Sequence, residues 1–235
     1  VTENQRSDQD GGEPRSGCCE GRGKPGRPVV YSADERRRII LDVLDKRFGS
    51  GGVQMLTISA IARESGMSRR TLYELFEDRD GLLMAYMERL VDQCLQPLAP
   101  EQHALPLEDR LRLLLARRRK PNWDMPLAIL RHAVVSGPDS PEFGRRCLEI
   151  GPRRWESLIC MELDRSVSRE ELPADFDSRA AAELLRDMIQ IPVLDPMLDD
   201  TFRPDEATIN ARMNLGLKVF LSGIGLQPGK NAPES

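Results

Sequence analysis

Apolar residues recur along this chain at spacings of three and four, the period of a helix that buries one face. Ser32 and Glu35 form a capping-box pattern, and Ile39, Ile40, Val43, Leu44 and Phe48 follow as the inner stripe of a first helix ended by Gly49–Gly52. Segment 57–76, TISAIARESGMSRRTLYELF, predicts two short helices around a tight turn. Thr57 caps the first, which places Ile58, Ile61 and Ala62 inward. Gly66 supplies the bend, and Ser68 caps a second helix with Leu72, Leu75 and Phe76 inside. A fourth helix starts near Asp80 and runs toward Pro97, and 97–106 is a connector. Further helices are predicted over 107–120, from Pro126 to about 136, over 140–163, over 178–190 and over 205–222. Pro152 should kink or interrupt the 140–163 helix, while Pro192 and Pro196 stop the one after it. Little alternation of period two is present, so the expected fold class is all-α: a three-helix head followed by a helical body.

The polar positions of 57–76 carry the chemistry. With Leu72, Leu75 and Phe76 turned inward, Ser68, Arg69, Arg70 and Thr71 face outward at the helix's leading end. That is the end a helix-turn-helix inserts into the major groove, where arginine pairs with guanine O6 and N7. In the last long helix Ile209, Met213, Leu217, Phe220 and Ile224 form one apolar stripe, and Ala211, Leu215 and Val219 form a second. That width exceeds what one supporting core requires. It predicts a mating surface for a second copy, with Gly216 and Gly223 allowing close approach; a central helix buried inside a monomer is the alternative. Leu184, Met188, Met213, Leu217 and Phe220 are its expected members.

The residues Gly26-Arg27-Pro28, Tyr31-Ser32, Arg37 through Asp42, Phe48, the IA…SGMS..TLY.LF run and Arg79-Asp80-Gly81-Leu82-Leu83 together resemble the N-terminal domain of the TetR family of bacterial transcriptional regulators. The resemblance covers about residues 26 to 92. It implies a domain order of tail with basic arm (1–30), DNA-binding domain (31–95), and ligand-binding and dimerisation body (96–235). It further implies that Tyr73, Thr57 and Arg79 touch the DNA backbone, and that two copies meet through a four-helix bundle. Arg79 stands where the family usually has lysine, which keeps the charge and changes the hydrogen-bond geometry. Leu75 replaces a histidine or tyrosine often found there, removing one polar contact.

Composition narrows the picture. The net charge of −4 excludes a nonspecific nucleic-acid coat, but six basic residues lie between positions 22 and 38 against Asp34 and Glu35. Residues 1–30 are rich in Gly, Pro, Ser and charge, and are expected to be disordered. Within them Arg22-Gly23-Lys24-Pro25-Gly26-Arg27-Pro28 resembles an AT-hook core, whose Arg27 would contact a minor groove or a phosphate; a plain basic linker is the alternative. No apolar run reaches membrane-spanning length and no signal-peptide segment is evident, so a cytoplasmic protein is expected. The five cysteines lack zinc spacing with His103 and His132, so no metal is expected. Adjacent Cys18 and Cys19 leave soft-metal or oxidant chemistry open in the tail.

The family resemblance also implies an enclosed small-molecule effector. Trp123, Met125, Leu127, Leu130, Phe143, Cys147 and Trp155 supply a soft apolar lining, with Arg131 and His132 to orient a polar group. Helical core spacing accounts for the same residues. The expected function is a ligand-responsive repressor binding a palindromic operator as a homodimer. The alternative is a constitutive or architectural DNA-binding protein without an effector. No phosphate-binding glycine loop, serine elbow or nucleophile–base set is present, so neither an enzyme nor a cofactor is expected.

Overall fold

The computed structural model describes residues 31–48, 57–116, 124–138, 141–199, 201–202 and 204–226. Every regular element among them is helical. Helix α1 (Ala33–Phe48) begins with the expected reciprocal cap: Ser32 N donates to Glu35 Oε2 at 2.8 Å, and Glu35 N donates to Ser32 Oγ at 3.1 Å. Helices α2 (Ile58–Ser65) and α3 (Arg69–Phe76) follow, then α4 (Arg79–Cys94). A 3-10 turn, Pro100–Ala104, interrupts the connector before α5 (Leu107–Leu115). Next come α6 (Asp124–Ser136) and α7 (Pro141–Leu148). Helix α7 continues through a π turn (Glu149–Arg153) into α8 (Arg154–Ser168). Pro152 therefore widens the helix by one turn instead of ending it, because a π turn relieves the clash a proline makes with the preceding turn. Helices α9 (Ser178–Ile189), α10 (Leu194–Leu198) and α11 (Glu206–Gly223) complete the chain's described part. The short α10 was not expected; it carries Pro196 near its start, where a missing N–H costs nothing.

Two cores hold these elements. The first joins Ile40, Leu41 and Leu44 of α1 to Ile61 and Ala62 of α2, Leu72 and Phe76 of α3, and the buried run Leu82–Met87 of α4. Ile129 of α6 and Phe143 and Cys147 of α7 belong to the same cluster, so the head's core is continuous with the body's front edge. The second joins Leu107, Leu111, Leu114 and Leu115 of α5, Ile159 and Leu163 of α8, Leu185 and Ile189 of α9, and Leu217, Phe220 and Leu221 of α11.

Leu217 (1 % exposed) and Phe220 (4 %), expected in the mating surface, are packed inside the protomer. Gly216 serves the same internal contact: a Cβ there would lie 2.8 Å from Ile189 Cγ2 of α9. The apolar residues that α9 and α11 leave in solvent are instead Leu184 (58 %), Leu215 (64 %) and Val219 (52 %). The burial order follows from helix geometry, since α11 can turn only one of its two stripes toward α9.

Arg110 is a second departure. It lies on the inner face of α5 and is fully buried. Its Nη1 donates to Leu105 O at 2.9 Å, its Nη2 donates to Glu171 Oε2 at 2.9 Å and to Ser166 Oγ, and its Nε lies 3.2 Å from Glu162 Oε2. This one guanidinium ties the connector to both ends of the α8 turn. Its spacing from Leu107, Leu111 and Leu114 carries the inward signal, masked by its charge.

Candidate nucleic-acid interface

Three caps shape the α2–α3 corner. Thr57 Oγ1 accepts from Ala60 N at 3.2 Å. Gly66, at φ 67°, ends α2 in the left-handed region, and Met67 N reaches back to Ala62 O at 3.0 Å. Ser68 Oγ accepts from Thr71 N at 3.0 Å and lies 2.9 Å from Thr71 Oγ1. These bonds satisfy the free amides at both helix starts and fix α3 relative to α2.

With Leu72 and Phe76 buried and Leu75 half-buried, α3 presents Ser68, Arg69, Arg70 and Tyr73 to solvent, Tyr73 at 50 %. Thr71 is partly covered. The Arg70 guanidinium is held by Glu74 one turn later at 2.7 Å, on the open surface, where such a pair is easily exchanged for another anion. Thr57 and Arg79 are also exposed, at the starts of α2 and α4. Thr57 and Arg79 thus stand at the starts of α2 and α4, and Ser68, Arg69, Arg70 and Thr71 at the start of α3 with Tyr73 one turn further on; the positive end of a helix dipole favours an anion at each start. Arg27 lies outside the described residues.

The basic run of α1 divides. Arg36 Nε donates to Tyr31 O at 3.0 Å. Arg37 donates to Leu75 O at 3.2 Å and stacks over the Phe76 ring at 4.8 Å, bracing the back of α3. Arg38 is exposed. Bracing by Arg37 was not legible from its place in a run of three arginines.

The junction to α4 is short. Glu77 turns at φ 66°, Asp78 Oδ1 caps Gly81 N at 2.7 Å, and a Cβ on Gly81 would sit 2.0 Å from Phe76 O. Only two residues separate α3 from α4, so the two helices share one rigid corner.

The residues expected to line an effector pocket fall into different surroundings. Trp123 lies outside the described residues, as does the Met125 side chain. Leu127 is buried and Leu130 is half-buried. Phe143 and Cys147 pack in the first core, and Trp155 packs against the second. Burial pushes the Cys147 thiol up to about 11. Arg131 Nη2 donates to Pro196 O and Met197 O, both at 3.1 Å, tying α6 to α10. His132 Nε2 lies 2.8 Å from Asp80 Oδ1, and its Nδ1 lies 3.2 Å from Ser136 Oγ. Both polar side chains expected to orient a ligand are therefore engaged within the protein. A cleft of about 430 Å³ between α1 and α4 is lined by Asp34, Arg37, Arg38, Leu41 and Arg89, none of them in the expected effector set.

Comparison with known proteins matches residues 40–86 to the family described as bacterial regulatory proteins, tetR family. Over 91 residues the chain is 32% identical to the HTH-type transcriptional regulator BetI of Escherichia coli (strain K12 / DH10B), covering 37% of this chain and 47% of that one. The chain thus spans about half the length of the curated relatives it matches. A putative TetR-family transcriptional regulator from Mesorhizobium loti MAFF303099 superposes with a TM-score of 0.58 at 19% identity, covering 83% of this chain and 98% of that one. A TetR transcriptional regulator from Agrobacterium tumefaciens gives 0.50 at 26% identity, covering 80% and 93%. The likeness of fold therefore extends through the helical body, beyond the segment matched by sequence.

Proposed function

We propose that this chain, which belongs to the TetR family of bacterial regulatory proteins, binds duplex DNA through the leading edge of α3 and regulates transcription there. The observation that carries this reading is the exposure of Ser68, Arg69, Arg70 and Tyr73 on a helix whose opposite face is sealed by Leu72 and Phe76. Arg69 and Arg70 are the candidates for base edges. Thr57, Thr71, Tyr73 and Arg79 take phosphates, which set register without reading sequence.

The operator is a palindrome read by a homodimer. Leu184, Leu215 and Val219 form an exposed apolar face across neighbouring helices α9 and α11, and Met161 of α8 adds to the exposed apolar surface at 53 %. Met188 and Met213, both half-buried, pack against the second core. Paired copies would present two α3 helices to half-sites a turn of B-DNA apart, or a multiple of it.

A small-molecule effector releases the dimer by favouring a displaced α4. Reversing a 99:1 preference requires about 5.5 kcal/mol of differential affinity. The internal engagement of Arg131 and His132 supports a second reading, a constitutive regulator without an effector. Selection of bound duplexes from a random pool tests the main reading. Enrichment of a two-fold symmetric site supports it, and no enrichment at modest salt overturns it. Titrating candidate small molecules into the resulting complex separates the two regulatory readings.

A further inference from the structure

We propose that His132 is a positioning residue for DNA binding: its contact with Asp80 sets the α3–α4 corner from the body of the protein. The inference rests on the reading of α3 as the DNA-binding helix. Asp80 lies in the first turn of α4, four residues after Phe76 ends α3. His132 lies on α6, more than fifty positions away in sequence, and meets that carboxylate at 2.8 Å.

Three features make this contact an anchor. The ring is held on both polar sides: an ionised carboxylate only accepts, so Nε2–H donates to Asp80, and Nδ1 pairs with the Ser136 hydroxyl, which can serve as either donor or acceptor. The ring face is fixed by Phe143 of α7, edge-on at 5.0 Å and 74°, itself buried in the core. Both members of the pair are partly shielded, at 23 % and 35 % exposure. Two further ion pairs between α4 and the body, Arg146–Glu88 and Arg154–Asp92, lie farther along α4 and are more open to water. They hold the far part of α4, whereas His132 meets its first turn.

The corner transmits what the anchor sets. Glu77 N bonds Tyr73 O at 2.9 Å and Asp78 N bonds Phe76 O at 2.7 Å, so the end of α3 and the start of α4 move as one piece. A shift of α6 that withdraws His132 would therefore release α3 without any contact between α6 and DNA.

The test is a double-mutant cycle on the full chain, read with the duplex that the wild type selects. His132→Ala and Asp80→Asn should each weaken binding about tenfold, the low end of what one hydrogen bond to a charged group is worth. The double variant should be no weaker than the worse single variant, and His132→Gln, which restores a donor at the same reach, should stay within about twofold of wild type. Hydrogen exchange on the DNA-free protein gives the independent arm: amides of 69–83 should exchange faster in His132→Ala, while those of α9 and α11 keep their rates. Additive losses, unchanged affinity, or faster exchange throughout α9 and α11 would overturn the assignment. If the wild type selects no duplex, the functional reading fails, and the exchange arm alone decides whether His132 fixes the corner.

Discussion

Gly81→Ala probes the corner on which the account depends. The added Cβ would lie 2.0 Å from Phe76 O, where contacts under 3.0 Å are essentially never tolerated. The start of α4 must therefore move about 1 Å from the end of α3, and the opposing atom is backbone, which cannot rotate away. Overpacking of this kind costs about 1–3 kcal/mol. Alanine's better helix propensity returns up to about 1 kcal/mol, leaving a net loss of about 0–2 kcal/mol. Binding should suffer more than stability, because α3 is about 12 Å long and a shift at its base is carried to its leading edge. We expect at least a tenfold loss in affinity for the selected duplex, equivalent to about 1.4 kcal/mol. Gly144→Ala is the control: nothing lies within 4 Å of its Cβ, so helix propensity alone acts and stability should hold or rise. Urea unfolding and fluorescence anisotropy read the two quantities. Wild-type affinity and an unchanged midpoint for Gly81→Ala would show that the α3–α4 corner does not place α3 on DNA.

Four further outcomes follow from named contacts. Arg110→Met takes the fully buried partner from Glu162, which is 4 % exposed and keeps only His103 at 3.3 Å and Arg165 at 3.5 Å, and should cost about 3 kcal/mol in urea unfolding; a loss under about 1 kcal/mol would show that the network is dispensable. Leu215→Asp with Val219→Asp should leave folding intact and yield monomers in sedimentation experiments; a persistent dimer would move the interface elsewhere. Arg79→Ala should weaken binding across duplex sequences alike and reduce the salt slope by about one, whereas a sequence-selective loss would make Arg79 a base reader. The Ser32 bonds hold the Glu35 carboxyl below its ordinary range, and the Thr208 bonds do the same for Asp205. A depressed folded value means these caps stabilise fully above the ordinary carboxylate range and fade as pH falls through it, from about pH 4.5 downward. Exchange at the starts of α1 and α11 should rise there, and Glu35→Gln should flatten the response at α1.

Local signals made much of the head legible. Ser32, Thr57, Gly66 and Ser68 each do in the structure what their residue types dictate, because caps and turns involve neighbours three or four positions away. Pro152 was visible, but its outcome was not, since the π turn packs against α4, which is distant in sequence. Helix α11 carries two apolar stripes of comparable strength, and only the seating of Gly216 against Ile189 decides which one is inside. The polar links were the hardest to see. His132 and Asp80 are ordinary residues in sequence, and Arg110 carries a charge that argues against its place in the core. Each is defined by a partner distant in the chain, which periodicity does not encode.

The most direct test of α3 as the reading element is to select duplexes from one random pool in parallel with wild type, Arg69→Ala and Arg70→Ala. The account predicts a two-fold symmetric site for wild type, with relaxed preference at one position in each half-site for at least one variant. Indistinguishable sites from all three proteins would contradict it.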